Sequence, residues 1–143
     1  MRTLHLGLRV TDLERSLGFY TALGYDVLGG VPETGLGRLT MLKLPDDEFV
    51  AIELVHDPDR GQVAPSGFSH LVIQVESLQA TRATLAGRGI DTEPPTSPDG
   101  SDEFWTAWVV DPDGYRIELV QWPAGHPHGM TADDLTGQPG TPS

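Results

Sequence analysis

The sequence predicts an α+β fold built from two similar modules, each with the order strand, helix and three strands (βαβββ). Three observations carry this prediction. Apolar residues alternate at the start of each half, a capped helical pattern follows in both halves, and two short motifs recur at an offset of 65 residues. Leu4-His5-Leu6 returns as Ser69-His70-Leu71, and Ile52-Glu53-Leu54 returns as Ile117-Glu118-Leu119.

The first half begins with a strand at residues 3–10, where apolar residues alternate with polar or small ones. The run Thr11-Asp12-Leu13-Glu14 resembles a capping box and starts a helix that extends to about Leu23. Gly24 then favours the end of that helix. Three further strands are predicted at residues 25–28, 38–44 and 49–55.

The second half repeats this order. It begins with a predicted strand at residues 68–75 and continues with a helix that Ser77 caps and that ends at about Ala86. Three further strands are predicted at residues 90–93, 104–110 and 115–121. The last two form a hairpin around the turn Asp111-Pro112-Asp113-Gly114.

These elements define one predicted domain at residues 1–122. Module one occupies residues 1–55, a Pro- and Gly-containing linker occupies 56–67, and module two occupies 68–122. Residues 123–143 are rich in Pro, Gly and Thr, and we predict a flexible tail there.

The composition excludes several classes of function. The formal net charge of −12 disfavours nucleic acid and anionic membranes as partners, because phosphate groups would be repelled. The absence of cysteine excludes disulfides and thiolate metal ligands. No sustained apolar run is present at the start of the chain or long enough for a membrane span. We therefore expect a cytoplasmic protein that acts on a small molecule.

Four residues of the repeated motifs are candidate metal ligands: His5, Glu53, His70 and Glu118. Each alternates with apolar residues, so all four are predicted to lie on the sheet face that the helices do not cover. Two imidazoles and two carboxylates form a good ligand set for a divalent first-row metal. Duplication alone could also preserve these positions as ordinary solvent-facing residues, so that alternative stays open.

The motifs resemble those of glyoxalase I, a member of the vicinal oxygen chelate superfamily that also contains bleomycin resistance proteins and dioxygenases. Four runs carry the resemblance: residues 1–13 with Phe19-Tyr20, Ile52-Glu53-Leu54, Ser69-His70-Leu71, and residues 111–119. The resemblance implies an open, curved sheet around a metal. It also implies a homodimer in which His5 and Glu53 of one chain meet His70 and Glu118 of the other.

The same resemblance implies a lyase that isomerises the hemithioacetal of a 2-oxoaldehyde and a thiol through an enediolate. Glu118 is implied as the main base, with Glu53 as its counterpart on the other side. Short loops, like those of nickel-type members, favour Ni²⁺ or Co²⁺, with Zn²⁺ as the alternative, because the ligands alone do not select the ion. Arg9 matches a family arginine that binds the carboxylate of the thiol co-substrate.

Two departures from the family pattern concern the thiol. Asp57 stands where family members often have an asparagine for the thiol, and the loop at residues 97–103 is acidic where a basic residue is usual. Glutathione and other thiols both stay open as co-substrates for this reason. Alternative functions are another superfamily enzyme (an epimerase, an extradiol dioxygenase or a thiol transferase) or a bleomycin-type drug-binding protein. The dioxygenases and transferases resembled use two histidines and one Glu, so a fourth ligand at Glu53 disfavours them.

Overall fold

The computed structural model describes residues 1–135, within which it has seven β-strands and two α-helices. The last eight positions of the predicted tail, 136–143, lie outside the described residues. The elements of the first module are β1 (Leu6–Arg9), α1 (Leu13–Leu23), β2 (Asp26–Val31), β3 (Arg38–Lys43) and β4 (Ile52–His56). The elements of the second module are β5 (His70–Gln74), α2 (Leu78–Gly87), β6 (Trp105–Val110) and β7 (Arg116–Gln121).

The strands form two mixed sheets, one from each module. The order is β1-β4-β3-β2 in the first sheet and β5-β7-β6 in the second. In both sheets the first strand pairs in parallel with the last strand of its module, and Gly7 lies opposite Glu53 as Val72 lies opposite Glu118. The α+β class is therefore confirmed, and the internal repeat is visible in the strand register itself.

Both helices have the caps that the sequence indicates. The Asp12 carboxylate accepts a hydrogen bond of 3.0 Å from the backbone N–H of Arg15, and the Ser77 hydroxyl accepts one of 3.2 Å from Ala80. The first helix ends at Gly24, whose φ of 127° suits a residue without a side chain. The helix starts and ends are thus set by local chemistry.

The predicted strand at residues 90–93 is wrong. Glu93 donates one backbone hydrogen bond to the Trp108 carbonyl, and Thr96 forms an isolated bridge with Thr106, but no strand connects them. Pro94 and Pro95 lie between these contacts, and neither has a backbone N–H to donate. The edge of β6 therefore carries two separate contacts in place of a ladder.

The two modules share one hydrophobic core. Buried apolar side chains from the helix-facing sides of both sheets form a single cluster, which includes Tyr20, Leu42, Ile52, Leu54, Leu85, Val109, Ile117 and Leu119. Because both sheets turn the same face toward this cluster, each has its other face open. The candidate ligands belong to those open faces.

The turn Asp111-Pro112-Asp113-Gly114 joins the modules through buried carboxylates. The Asp111 side chain accepts hydrogen bonds from the backbone N–H groups of Asp113 and Tyr115 and, at 2.8 Å, from the hydroxyl of Tyr20 on α1. Burial raises the pKa of Asp111 above 3.8, and these donors act against that shift by stabilising the carboxylate.

The Asp113 carboxylate completes the junction. It accepts hydrogen bonds from the Thr11 N–H, the Arg15 guanidinium and the Ser16 hydroxyl, at 3.2–3.4 Å. Arg15 and Ser16 lie in the first turn of α1 and Thr11 lies just before it, so the turn of module two fixes the position of the helix of module one.

We expect Tyr20→Phe to lower the free energy of unfolding by about 1–3 kcal/mol more than Tyr25→Phe does. Both tyrosines are buried, and their rings are in contact at 5.7 Å between centroids. Only Tyr20 donates to a buried carboxylate; the Tyr25 hydroxyl has no hydrogen bond to another described residue. Urea unfolding measures both losses, and equal losses would contradict the role given to the Tyr20–Asp111 bond.

Candidate metal centre

His5 and Glu53 form the first of two similar pairs. His5 lies just before β1 and Glu53 lies on β4, and their Nε2 and Oε2 atoms are 3.0 Å apart. Their side chains are 30% and 15% exposed, whereas the neighbouring Ile52 and Leu54 are fully buried. The alternation of β4 therefore places the carboxylate on the open face, as the sequence predicts.

His70 and Glu118 form the second pair at the equivalent position of the second module. Their Nε2 and Oε2 atoms are 3.6 Å apart, and the side chains are 35% and 21% exposed. The Ser69 hydroxyl lies 2.8 Å from His70 Nδ1 and can accept its proton. That arrangement leaves the Nε2 lone pair free on the side of Glu118.

The two pairs do not join within one chain. Among residues 1–135 there is no group of three or more His, Cys, Asp or Glu side chains that could hold a metal ion. Each open face thus carries half of the predicted set of four ligands. A complete set requires the open faces of two different modules to meet.

The donor chemistry of each half suits a divalent first-row ion. Imidazole nitrogen and carboxylate oxygen are ligands that such ions accept, and each pair is already close enough to share one ion. Gly7, which pairs with Glu53 in register, has no side chain beside this carboxylate. The residues present therefore fit a divalent metal.

Comparison with known proteins places this geometry in a family. Residues 2–119 match the Glyoxalase/Bleomycin resistance protein/Dioxygenase superfamily. The chain belongs to this superfamily.

Several members are similar over most of the chain. A "Probable lactoylglutathione lyase" of Vibrio cholerae is 35% identical over 134 residues, which cover 87% of this chain and 94% of that protein. The trypanothione-dependent glyoxalase I of Leishmania major has 30% identity and a TM-score of 0.68, covering 85% of this chain and 86% of that one. A chloroplastic "Probable lactoylglutathione lyase" of Arabidopsis thaliana is 30% identical, and this chain spans 35% of its length.

Arg9 has a buried guanidinium nitrogen without a partner. It lies on β1 in phase with Gly7, and its Nη1 atom has no hydrogen bond to any described residue. A buried donor left unpaired costs free energy, so an anionic ligand is the natural complement of this atom. The sequence placed Arg9 on the open face, and its orphaned nitrogen supports a binding role in this superfamily member.

Trp108 and Arg116 surround the second pair, and their positions were not predicted as part of the site. The Trp108 ring contacts the His70 ring edge-to-face at 5.1 Å, and the Arg116 guanidinium lies 4.2 Å from the Trp108 ring centroid. Arg116 also lies 3.9 Å from Glu93. Strand phase could have identified both residues, since Trp108 pairs with Glu118 and Arg116 precedes Glu118 by two positions.

Asp57 and the acidic loop have structural contacts of their own. The Asp57 carboxylate caps the 3-10 helix Pro58–Arg60 by accepting from the Asp59 N–H at 3.0 Å. In the loop, a backbone hydrogen bond from Ser101 lowers the pKa of Asp99, which keeps that carboxylate ionised. The loop at residues 97–103 contains no cation, and Arg60, in the helix that Asp57 caps, lies 3.8 Å from the Asp57 carboxylate.

We expect Arg9→Met to raise the free energy of unfolding by about 1 kcal/mol relative to Arg38→Met, because it removes a buried unpaired donor. Arg38 is exposed on β3 and controls for the loss of one positive charge from an acidic chain. Thermal and urea unfolding of both variants provide the comparison. A larger loss of stability in Arg9→Met would show that Nη1 is satisfied in the folded protein.

Proposed function

We propose that this protein is a metal-dependent lyase of the glyoxalase I type, active as a homodimer. In this proposal His5 and Glu53 of one chain meet His70 and Glu118 of its partner around one divalent ion, Ni²⁺ or Co²⁺ ahead of Zn²⁺. The observation that carries the proposal is the pair of matched histidine–carboxylate contacts, at 3.0 and 3.6 Å, on the two open faces. The relatives named as lactoylglutathione lyases support the same reaction.

The side chains divide the work of this reaction. The ion would supply positive charge that stabilises the enediolate oxygens. Glu118 takes the proton from the carbon that bears sulfur and returns it to the neighbouring carbon, which converts the hemithioacetal to a thioester. Its contact with His70 is longer than that of Glu53 with His5, so the Glu118 carboxylate is the less tightly held of the two. Glu53 is the counterpart on the opposite side.

The thiol co-substrate is held by Arg9 through a carboxylate, with few other cations in support. Arg116 is engaged with Trp108 and Glu93, and Arg60, just beyond β4, is engaged with Asp57 at 3.8 Å. A thiol with less negative charge than glutathione suits these surroundings, because each added carboxylate would meet an acidic protein.

A mixture of two inactive variants tests the shared site. We expect a His5→Ala/Glu53→Gln chain and a His70→Ala/Glu118→Gln chain each to lose nearly all lyase activity with methylglyoxal and a thiol. Refolded together in equal amounts, half of the dimers carry one intact site, so about a quarter of the wild-type activity should return. Metal analysis of the same mixture should show a parallel recovery.

The control is each double variant refolded by itself, because two chains with the same substitutions cannot rebuild a site. If size-exclusion chromatography shows dimers but the mixture has no activity, the whole site lies in one chain and the shared site is contradicted. A metal-loaded dimer that is inert with every thiol tried would contradict the lyase assignment itself.

We expect kcat/KM with methylglyoxal to be higher for a neutral or cationic thiol that is similar in size to glutathione than for glutathione itself. The difference should shrink as salt is added, because it arises from screened charge repulsion. Initial rates at low and high ionic strength measure it, with Asp57→Asn as a variant that should improve glutathione in particular. A preference for glutathione that salt leaves unchanged would show that the acidic surroundings do not select the thiol.

A further inference from the structure

The chain after β7 is attached to the second sheet by a stack of three rings. Phe104 and Trp122 stack with their ring centroids 5.0 Å apart and an interplanar angle of 10°. The rings of Trp122 and His126 also stack, with centroids 4.3 Å apart and an interplanar angle of 9°. The superfamily match ends at residue 119. Trp122 and His126 therefore lie beyond the region that identifies the family, whereas Phe104 lies within it.

His126 is held in its protonated form by two acceptors. Its Nε2 atom lies 2.7 Å from Asp134 Oδ1, and its Nδ1 atom lies 2.7 Å from the Pro127 carbonyl oxygen. A carbonyl oxygen and an ionised carboxylate only accept, so both ring nitrogens must donate, which the imidazolium alone can do. Asp134 is the charged group against this ring, and the side chain of His126 is 13% exposed.

The same segment crosses the open face of the second sheet. The Gly129 N–H donates to Gln74 Oε1 on β5, which lies in phase with His70 and Val72. His126 lies against Trp122, which directly follows β7. Because Gly129 contacts β5, the chain from Trp122 to Gly129 passes from β7 to its neighbour β5.

Val120 is buried at this end of the open face. It pairs with Gln74 and Thr106 and belongs to the same face as Glu118, yet only 4% of it is exposed. Val72, on the same face beside Glu118, is 52% exposed. On the central strand β7 the open face is therefore buried at the first same-face position beyond Glu118, at the end from which the tail leaves.

We propose that residues 123–135 form an end wall of the substrate cleft and that His126, through Asp134, is the positioning residue that locks this wall in place. The proposal rests on the proposed function for the identity of the cleft. Along β7, Trp122 is four residues beyond Glu118, about 13 Å at the rise of a β-strand. At that distance the wall limits the part of the thiol that is remote from the reacting carbons, so it determines which thiols fit.

The lock depends on pH in a defined direction. The hydrogen bond to Asp134 raises the pKa of His126 above 6.5, so its contribution is complete below 6.5 and is lost as the pH rises through the raised value. Hydrogen bonds from Thr131 and His126 lower the pKa of Asp134 below 3.8, so its contribution is complete above 3.8 and is lost as the pH falls through the lowered value. The wall is therefore held most firmly in weakly acidic solution and loosens in alkali.

Cysteine labelling of the full chain tests the wall, because the natural sequence has no cysteine. Val120→Cys places a thiol under the proposed cover, and Val72→Cys is the matched control on the same face. We expect a maleimide to label position 120 about tenfold more slowly than position 72. Adding Asp134→Asn, or raising the pH, should increase the labelling rate at position 120 relative to that at position 72 several-fold. Adding His128→Gln should leave this ratio unchanged.

Histidine NMR titration of the unlabelled, cysteine-free protein tests the lock independently of any cysteine variant. We expect the pKa of His126 to lie above the ordinary histidine value of 6.5, because Asp134 accepts its hydrogen bond, and Asp134→Asn to lower it. A His126 pKa at or below 6.5 in the natural sequence, or a labelling ratio that Asp134→Asn does not change, overturns the proposal. Neither measurement needs turnover, so a failure of the lyase assignment would be recognised separately.

Discussion

The hydrogen-bonded carboxylates of Asp111 and Asp113 are the constraint on which the arrangement of the site depends. A buried carboxylate is costly unless donors surround it, and here the donors come from its own turn and from the first helix. The turn of module two can therefore be buried only with α1 of module one against it. This contact fixes the two sheets on one core and leaves both of their other faces open.

Duplication explains why the two halves of the site match so closely. Glu53 and Glu118 occupy the same register position on strands that pair in parallel with the first strand of their module. Apolar neighbours on both sides are buried in the shared core, so each carboxylate must lie on the open face. The same constraint separates the halves within one chain, because the covered faces of both sheets pack in the shared core and the ligand-bearing faces stay open.

Much of this could be predicted locally, and the failures have local causes as well. Alternation, caps and the repeat of 65 residues predicted both α-helices and all seven strands of the described residues, since each depends on near neighbours in sequence. The strand at residues 90–93 failed because an apolar alternation says nothing about whether a neighbouring edge can pair, and Pro94 and Pro95 prevent it. The tail was predicted from its Pro, Gly and Thr content alone, and such a composition does not reveal that the His126 ring stacks on Trp122 and pairs with Asp134.

The sequence by itself determined the module order, the residues that face away from the core and the chemical types of the four candidate ligands, because strand and helix periodicity act over a few residues. The tertiary structure decided which of those ligands meet, which guanidinium nitrogen of Arg9 is left without a partner, and where the chain after β7 crosses the open face. These outcomes depend on contacts between residues that are distant in sequence. Such contacts are set by how the two modules share one core, and no pattern within a single module records that.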